Sequence, residues 1–371
     1  THRYVLISNV AYDFSDTQRV RLSYTFDRAD HRQTGKAGFL YRNGEPFDVF
    51  PINDPIVDIN GNTPQKRNRQ SYATLNQIAG EYVGKFFNED LTIQLGGRLP
   101  FFKRELDNYC FTTNAGGSVN CLDDAASVAS YALANPYAVD PATGQVSGSL
   151  GPVSRDYDYD KFLPQAGFIY KLNPALSVAF NYAKNISVPG TDDLYGAIYF
   201  PEGAAGSSPV AETSDSFDLA LRYTTPLIQA GIFPWYSAYQ NRLSSAFDVA
   251  ADTTVTTNLG EVEKFGVDAS IAVRPSDSLF LYVFGSYIDS RIKDDVQTGE
   301  NTFIDTAGNV ERLNPSYLAG ARVQYNLGSL EIGGQVKRTG RRYLDDTNTV
   351  ELDGFTVVDL DLRYSLADAG L

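Results

Sequence analysis

The stretch VVDLDLRYSL, from Val357 to Leu366, alternates between apolar and polar side chains. Such a period of two is typical of a β-strand whose two faces meet different surroundings. One face carries Val358, Leu360, Leu362 and Tyr364, and the other carries Asp359, Asp361, Arg363 and Ser365. In a soluble sandwich the apolar face would be buried. In a membrane barrel it would meet lipid, and the charged face would line a wet interior.

The composition suits a large β-structure and excludes several classes of partner. The 371 residues include 24 Tyr, 22 Phe and 31 Gly, which favour strands and turns over helices. The net charge of −14 argues against a nucleic-acid partner, which would require a basic surface. No run of about 20 apolar residues is present, so no transmembrane helix is predicted. A spanning strand needs only about 9–11 residues and keeps half of them polar, so a membrane barrel fits this composition.

Alternating segments follow one another along almost the whole chain. We predict thirteen strands, at residues 3–14, 19–27, 75–86, 91–99, 160–171, 176–184, 214–224, 228–243, 259–274, 279–290, 316–326, 330–340 and 356–366. Their connections are alternately short and long. The short ones hold turn-type residues, as at Leu172–Ala175. The long ones cover residues 28–74, 100–159, 185–213, 244–258, 291–315 and 341–355.

This alternation places every short turn at one end of an antiparallel sheet and every long loop at the other. The arrangement is typical of an outer-membrane barrel with short periplasmic turns and long extracellular loops. A sandwich with Greek-key connections does not require it. A propeller would show a repeat of about 40–50 residues, which the sequence lacks. We therefore predict an all-β protein, a large antiparallel up-and-down transmembrane β-barrel with about 13 strands in this chain.

Charged side chains share one face of many of these strands, which indicates a large, wet or plugged lumen. Arg or Lys on the lipid face would cost roughly 2–4 kcal/mol near the midplane of the bilayer, so the charges belong inside. We predict lumen-lining positions at Asp218, Arg222, Asp268, Arg274, Asp359, Asp361 and Arg363.

The apolar face carries aromatic residues where a membrane interface would lie. Tyr170, Tyr223, Tyr325 and Tyr364 fall beside short turns, and Phe26 and Tyr182 fall beside long loops. Two aromatic girdles follow from this placement, because amphipathic rings favour the headgroup level. Pro234 lies inside the strand predicted at 228–243, where it removes a ladder donor. We expect a bulge or a kink there, unless the predicted register is wrong.

Two cysteines, Cys110 and Cys121, lie in a stretch rich in Gly and Asn. A zinc site would need more ligands, and the only histidines are His2 and His31. We predict a local disulfide, which would place this loop in an oxidising compartment.

The two ends of the chain suggest a piece of a larger barrel. The first residues, Thr1 to Tyr4, already read as structure and include no initiator Met, so we expect a processed or truncated chain. A closed barrel with periplasmic termini needs an even number of strands, so at least one strand is expected upstream. Residues 367–371 are expected to enter the next short turn, with more of the barrel downstream.

Two segments resemble strands of TonB-dependent receptors. Asn258-Leu259-Gly260-Glu261-Val262, followed by Phe265-Gly266-Val267-Asp268-Ala269, is similar to an "N-x-G … G-v-E" strand of that family. Residues 162–170, FLPQAGFIY, followed by residues 176–182, LSVAFNY, are similar to a second pair of its strands. The resemblance extends over most of the chain.

The resemblance implies a 22-stranded barrel in the bacterial outer membrane, with an N-terminal plug domain that contacts TonB through a short box. It also implies uptake of a scarce bulky ligand (a siderophore, haem, cobalamin or oligosaccharide), driven by the proton-motive force. The sequence departs from the family in lacking the plug, the TonB box and the final strand. Residues 1–371 are therefore interpreted as one barrel segment of a larger receptor. The lumen charges would then form a network that holds barrel and plug together, or line a substrate path.

Ligand-binding candidates lie in the predicted long loops. We predict ligand binding by His31 and Arg32 in the first loop and by the rings of Tyr109, Tyr195 and Tyr199 in later ones. The stretch Lys66-Arg67-Asn68-Arg69 brings further basic groups to the first loop. Arg can form paired hydrogen bonds with carboxylates, and rings can stack on sugars or catecholates. The alternative is that these residues hold the loops to each other or touch lipopolysaccharide.

Three functional classes remain open from the sequence, and catalysis is not among them. Two histidines, the lack of a Gly-x-Ser-x-Gly elbow and the lack of a phosphate loop argue against an enzyme, and no cofactor is predicted. Active import energised through TonB is the first hypothesis. A passive porin-like channel and a surface protein without a transport role are the alternatives.

Overall fold

The computed structural model of the chain describes residues 2–57, 59, 61, 63–122, 124–204, 206–248, 253–299 and 302–366. Its elements in chain order are β1 (His2–Ser15), β2 (Gln18–Lys36), β3 (Gln65–Phe86), β4 (Leu91–Asn108), β5 (Phe111–Thr112), β6 (Val119–Asn120), α1 (Ala125–Ala134), β7 (Ala138–Val139), β8 (Val146–Ser147), β9 (Val153–Asp160), β10 (Leu163–Lys171), β11 (Leu176–Ser187), α2 (Thr191–Ala197), β12 (Glu212–Thr224), β13 (Ile228–Gln240), β14 (Leu243–Asp248), β15 (Thr253–Asn258), β16 (Val262–Ser276), β17 (Leu279–Ile292), β18 (Val296–Gly299), β19 (Thr302–Ile304), β20 (Tyr317–Leu327), β21 (Leu330–Thr339), β22 (Arg342–Tyr343), β23 (Glu351–Leu352) and β24 (Phe355–Tyr364).

One large antiparallel sheet contains all thirteen predicted strands. Its order is β1-β2-β3-β4-β10-β11-β12-β13-β16-β17-β20-β21-β24. In addition, β9 pairs with residues 101–108 of β4. Each long strand lies beside the next one in the chain, which confirms the antiparallel up-and-down topology. Within the described residues the sheet is not closed, because β1 and β24 each pair along one side only. Residues 367–371, where the next short turn was expected, lie outside the described residues.

The connections between these strands alternate as the sequence predicts. The short turns include the two-residue links after β1, β16 and β20, and all of them lie at one end of the sheet, the short-turn end. The Asn173 side chain accepts hydrogen bonds from the backbone of Ala175 at 2.9 Å and of Leu176 at 3.0 Å, which is how an Asx turn reverses the chain. The opposite end, the long-loop end, carries every long connection.

The first long loop is much shorter than predicted. Residues 28–36 of β2 pair with residues 65–74 of β3, so only residues 37–64 connect the two strands. Both faces of this extension are polar, with Arg28, Asp30 and Arg32 on one of them. The missing apolar face explains why the segment reads as a loop in the sequence. The strand predicted at 91–99 likewise continues to Asn108.

The bulge considered at Pro234 is absent. Pro234 lies in β13, and the register against both neighbours is unchanged. The pairing of β13 with β12 is interrupted at Leu219 and Ala220, because proline has no backbone N–H to donate there. The longer of the two described helices, α1, has ten residues. None of its residues is buried, so its sequence shows no helical period, and the Asp124 side chain caps its N-terminus.

The sheet has two chemically distinct faces. On β24 the apolar face carries Val358, Leu360 and Leu362, which are 66%, 85% and 74% exposed. Cross-strand register places the seven predicted lumen residues together on the other, polar face. The apolar face does not pack into a dry core: in the part of the chain described, both buried apolar clusters lie at the long-loop end. No described helix is long and apolar enough to cross a membrane.

Aromatic rings form a row across the apolar face near the long-loop end. Tyr182, Phe217, Tyr236 and Phe265 occupy one register position on four neighbouring strands. Ring centroids are 4.9 Å apart for the first pair and 6.3 Å apart for the second. Toward the loops, the Tyr182 hydroxyl donates to Asp215 at 2.7 Å, and Lys184 pairs with the same carboxylate. This order of apolar band, ring and charge matches a bilayer interface.

Candidate functional site

A short helix, α2, lies over the polar face of the sheet at the long-loop end. The Asp193 carboxylate accepts a hydrogen bond from the Gly190 backbone at 3.1 Å and closes the first turn. Acidic groups at this position suit the positive end of a helix dipole. Leu194 and Ile198 are fully buried against Leu106 of β4, within the larger of the two apolar clusters. The loop segment that contains α2 is thus packed against the polar face of the strands.

Tyr195 fastens α2 to the strands beneath it. Its hydroxyl donates to the backbone carbonyl of Gln70 at 2.7 Å and of Asp107 at 3.2 Å. The side chain is only 3% exposed, and burial raises the pKa of Tyr195 to about 12. The hydroxyl therefore stays protonated and acts as a donor throughout the physiological range.

The side chain of a buried arginine in β3, Arg69, contacts α2. Arg69 is 5% exposed, donates to Gln33 and Asp192, and lies 4.2 Å from the centroid of the Tyr195 ring. Burial alone would raise the pKa of Asp192, but the hydrogen bond from Arg69 and the positive charges of Arg69, Arg67 and His31 outweigh it and hold that pKa below 3.8. The carboxylate is therefore charged near neutral pH.

A cavity of about 570 Å³ opens beside this ion pair. Three separate long connections and β3 contribute to its walls, so it exists only in the folded loop assembly. Its lining is Arg67, Arg69, Ala115, Gly116, Gly117, Pro189, Asp192, Asp193, Gly196, Ala197, Phe200, Gly206, Pro209, Val210, Leu243 and Asn258. Apolar walls with a few charged groups at one end are typical of small-ligand sites.

One wall of the cavity is a loop closed by a disulfide. Cys110 and Cys121 are bonded, with Cα atoms 4.6 Å apart. The loop reaches α2 at Gly196, where a Cβ would lie 2.6 Å from the carbonyl oxygen of Ala115. Glycine is therefore required at this contact, since any side chain would push the loop away from the helix.

Removing the disulfide should loosen this wall. In Cys110→Ser combined with Cys121→Ser, the loss of a cross-link over about a dozen residues should destabilise the loop by about 3 kcal/mol. We expect faster protease cleavage at residues 109–150 in the purified protein, while the strands remain protected. Treating the unmodified protein with a reductant should give the same cleavage pattern. Identical cleavage before and after reduction would contradict this role.

Another part of the cavity wall is held by a buried ionic cluster around Glu311. This carboxylate is 4% exposed and accepts from Arg242 Nε at 2.7 Å, from Asn314 at 2.8 Å and from Lys264. Arg242 also donates to both carboxylate oxygens of Glu212, at 3.0 and 3.1 Å. The backbone of Leu243, which lines the cavity, donates to Glu212 as well. The cluster therefore positions the β14–β15 hairpin.

The structure separates the five predicted ligand-binding residues. Arg32 and Tyr109 lie together, with the guanidinium 5.3 Å from the ring centroid, but Arg32 lies on the apolar-face side of the wall. His31 points to the other side, near Asp192. Tyr195 and Tyr199 are buried, and the Tyr199 hydroxyl donates to the Gly148 carbonyl at 3.2 Å. For these two tyrosines the geometry favours the alternative role of holding the loops to one another.

Four charged residues line the cavity. Arg67 and Arg69 come from the basic stretch of the first predicted loop, whereas Asp192 and Asp193 were not candidates from the sequence. The one local signal was the Gly190-Thr191-Asp192-Asp193 helix start. Arg69 and Asp192 are 123 residues apart, so their pairing has no local signature. Within the described residues no group of three or more His, Cys, Asp or Glu side chains could hold a metal ion.

Comparisons with known proteins agree with this architecture. A family model described as "TonB dependent receptor-like, beta-barrel" matches residues 2–370. The ferrioxamine receptor of Yersinia enterocolitica is 22% identical over 205 residues, which are 54% of this chain and 26% of that receptor.

Solved structures give a similar result. The ferric yersiniabactin uptake receptor FyuA of Yersinia pestis matches 99% of this chain and 47% of its own, with a TM-score of 0.62 and 14% identity. The copper transporter OprC matches 98% and 50%, with a TM-score of 0.64 and 13% identity. The closed form of the ferric-catecholate import receptor Fiu of E. coli K12 matches 98% and 48%, with a TM-score of 0.59 and 15% identity. The chain spans about half the length of these structures, and such identities show the fold alone.

Proposed function

Since the chain belongs to the TonB-dependent receptor family through a barrel match over residues 2–370, we propose that it forms part of the wall of an outer-membrane import receptor. Its long-loop end would face the exterior and capture a scarce, bulky ligand. The observation that carries this proposal is the cavity on the polar face, built by separate long loops and bounded by Arg67, Arg69 and Asp192. A pore without selectivity has no need of such a site.

An iron–siderophore complex is the ligand class that we favour. The relatives named above include receptors for ferrioxamine, ferric yersiniabactin and ferric catecholates. Such ligands present clustered oxygen donors, which guanidinium groups bind through charge-assisted hydrogen bonds. Arg67 lines the cavity and, among the described residues, has no ion pair of its own, so it is available to a ligand. Cobalamin and oligosaccharides remain the weaker candidates.

Energy transfer would come through partners that the described chain does not include. We infer that a plug domain, elsewhere in the complete receptor, would occupy the polar face and contact TonB. Charged pairs on that face would help to hold it, for example Arg322 and Asp361 at 2.8 Å. The aromatic row and the Lys184–Asp215 pair would lie at the headgroup level and touch lipopolysaccharide.

Binding of a panel of ferric siderophores tests the proposal. Hydroxamate, catecholate and phenolate complexes would be titrated against the receptor purified in detergent. For the complex that binds, Arg67→Ala should weaken binding about 10- to 100-fold, because a hydrogen bond to a charged group contributes about 1.5–3 kcal/mol. The matched control is Arg42→Ala, an exposed arginine in the 37–64 connection and away from the cavity.

The alternatives predict different outcomes for the same preparation. A passive channel would conduct ions in a planar bilayer without any energy source and would bind no complex. A surface protein without a transport role would neither conduct nor bind. If Arg67→Ala bound the ferric siderophore as tightly as the unmodified receptor does, the cavity would not be the ligand-binding site.

A further inference from the structure

The apolar face of the sheet, which points away from the polar face and the loop cavity, contains a depression of about 500 Å³. Ala269 of β16 and Gly285 of β17 are register partners and form its floor. Larger side chains from the neighbouring positions stand around them, among them the exposed Leu221, Ile232 and Val283. A floor and rim of this composition suit a hydrocarbon chain, because both surfaces are apolar.

A second, polar depression adjoins the first toward the long-loop end. Its volume is about 310 Å³, and Tyr287, Arg291 and Arg341 are part of its lining. Tyr287 follows Gly285 by two residues on β17, so both residues face the same side of the sheet. The two depressions therefore meet on this strand, with the apolar one beneath the basic one. This order matches an amphiphile that has an anionic head and an apolar tail.

An unpaired arginine, Arg338 of β21, lies beside the two depressions on the same outward face. Gly285, Ala319 and Arg338 share one register row, so Arg338 is two strands, about 10 Å, from the floor of the apolar depression. The Arg338 side chain is exposed and, within the part of the chain described, makes one side-chain hydrogen bond, to the Thr356 hydroxyl at 3.3 Å.

The strands on either side of Arg338 offer no opposite charge. Neither β20 nor β24 carries a carboxylate on the outward face over its described length. A guanidinium group on this face is costly at the middle of a bilayer and cheap near its surface, so Arg338 belongs at the level of the lipid headgroups. A phosphate is the anion that this level provides.

Tyr317 joins the polar depression to the strand of Arg338. It is the register partner of Tyr287, and its ring lies against Gly340, where a Cβ would come within 2.8 Å of the ring. Glycine at this position therefore lets the ring lean from β20 toward β21. Both tyrosines are exposed, and neither hydroxyl has a hydrogen bond within the described residues. Two hydroxyl donors are thus available close to the guanidinium group.

We propose that this outward surface, the lipid site (Ala269, Gly285, Tyr287, Tyr317 and Arg338), binds one phosphorylated lipid. An acyl chain occupies the apolar depression, Arg338 binds the phosphate, and the two tyrosine hydroxyls donate to oxygens of the headgroup. Charge complementarity selects the class, because a lipid without phosphate would leave the guanidinium group unpaired on an apolar surface. The inference rests on the membrane placement proposed above, but it does not depend on the loop cavity.

Titration of the full receptor in detergent with diphosphorylated lipid A tests the inference, and native mass spectrometry counts the bound lipid. We expect saturable binding. Arg338→Gln should weaken it roughly 10-fold or more, because a charge-assisted hydrogen bond to phosphate is lost. The matched control is Lys337→Gln, which removes the same charge one residue away but from the polar face. Its affinity for lipid A should be unchanged.

A second variant tests the place of the acyl chain. Gly285→Leu fills the apolar depression, and the nearest atom to a Cβ at this position would be 3.8 Å away, so the side chain fits without disturbing the sheet. We expect several-fold weaker binding of lipid A. Lipid A stripped of its phosphates and a glucosamine phosphate without acyl chains should each bind far more weakly than the complete lipid.

The outcomes separate this inference from its alternatives. Equal affinities of Arg338→Gln and Lys337→Gln, or equal binding of the dephosphorylated lipid, would overturn it. Binding of glucosamine phosphate as tight as that of lipid A would show a site for phosphate alone and would also overturn it. Loss of siderophore binding with intact lipid binding would count against the proposed function alone. The reverse result would count against the lipid site alone.

Discussion

Ile271→Lys should stop the sheet from assembling in a bilayer, whereas Ser270→Lys, one residue away, should assemble almost normally. Ile271 is on the apolar face of β16 at mid-strand, and Ser270 is on the polar face. Lys on the lipid side costs roughly 2–4 kcal/mol near the midplane, while the same group on the wet side is solvated. Folding of the complete receptor into lipid vesicles, followed by the shift in gel mobility of the unheated barrel, measures the difference.

The pair of variants is informative because Ile271 is 42% exposed in the chain by itself. In water, replacing so exposed an isoleucine by lysine would cost little, and both variants would fold alike. Equal folding of the two variants in vesicles would therefore show that the apolar face does not meet lipid. The transmembrane interpretation would then fail, together with the outer-membrane function built on it.

Glu311→Gln should release the loops around Glu311, which include the β14–β15 hairpin that lines the cavity at Leu243 and Asn258. The substitution leaves Lys264 and Arg242 in a buried cluster with one carboxylate fewer, and breaking a buried ion pair on one side typically costs about 3–5 kcal/mol. The strands do not depend on this contact, so we expect the loss to be local. Protease cleavage within residues 241–260 and 293–316 should accelerate at least 100-fold, while the gel mobility of the folded barrel stays unchanged.

A second Glu→Gln substitution provides the matched control. Glu351 pairs with Arg341 at 3.4 Å, but the arginine side chain is 69% exposed. Exposed pairs contribute only about 0–1 kcal/mol, so Glu351→Gln should leave the cleavage rate nearly unchanged. Similar rates in the two variants would show that the Glu311 cluster does not hold the loops.

Acidification should act on the same cluster in a defined direction. Burial would raise the pKa of Glu311, but the charge and hydrogen bond of Lys264 and those of Arg242 outweigh it and hold the pKa below 4.5. A carboxylate whose pKa is depressed by folding stabilises the fold above the unfolded value and loses that effect as the pH falls through the folded value. The loops should therefore stay protected near neutral pH and open only below about pH 4.5.

The strands could be predicted because their signal is local. Alternation between two faces, as in residues 357–366, locates each strand without knowledge of its neighbours, and the connection lengths then give the topology. The extension of β2 and β3 was missed for a related reason. Polar residues occur on both faces of this extension, so the alternation that marks a strand disappears there.

The candidate site was less predictable because it is assembled across long separations. Arg69 contacts Asp192 only after the loops have packed on the polar face. The residues around Arg69 do not indicate that Asp192 is its partner, and the residues around Asp192 do not indicate Arg69. Tyr195 was predicted to bind a ligand because it is an aromatic residue of a long connection, but only the folded neighbours decide whether its ring faces a ligand or the protein interior. Both faces of β17 are largely apolar, so its sequence did not indicate which side chains join the polar face of the sheet.

The extra length of β3 has a consequence for what a cell displays. Its 22 residues would span about 70 Å as a strand, whereas crossing a bilayer takes only about 9–11 residues. The surplus includes residues 65–74, which pair with residues 28–36 of β2 at the long-loop end. This two-stranded extension carries residues 37–57 at its tip. If the long-loop end faces outward, an antibody raised against residues 37–57 should therefore bind intact cells.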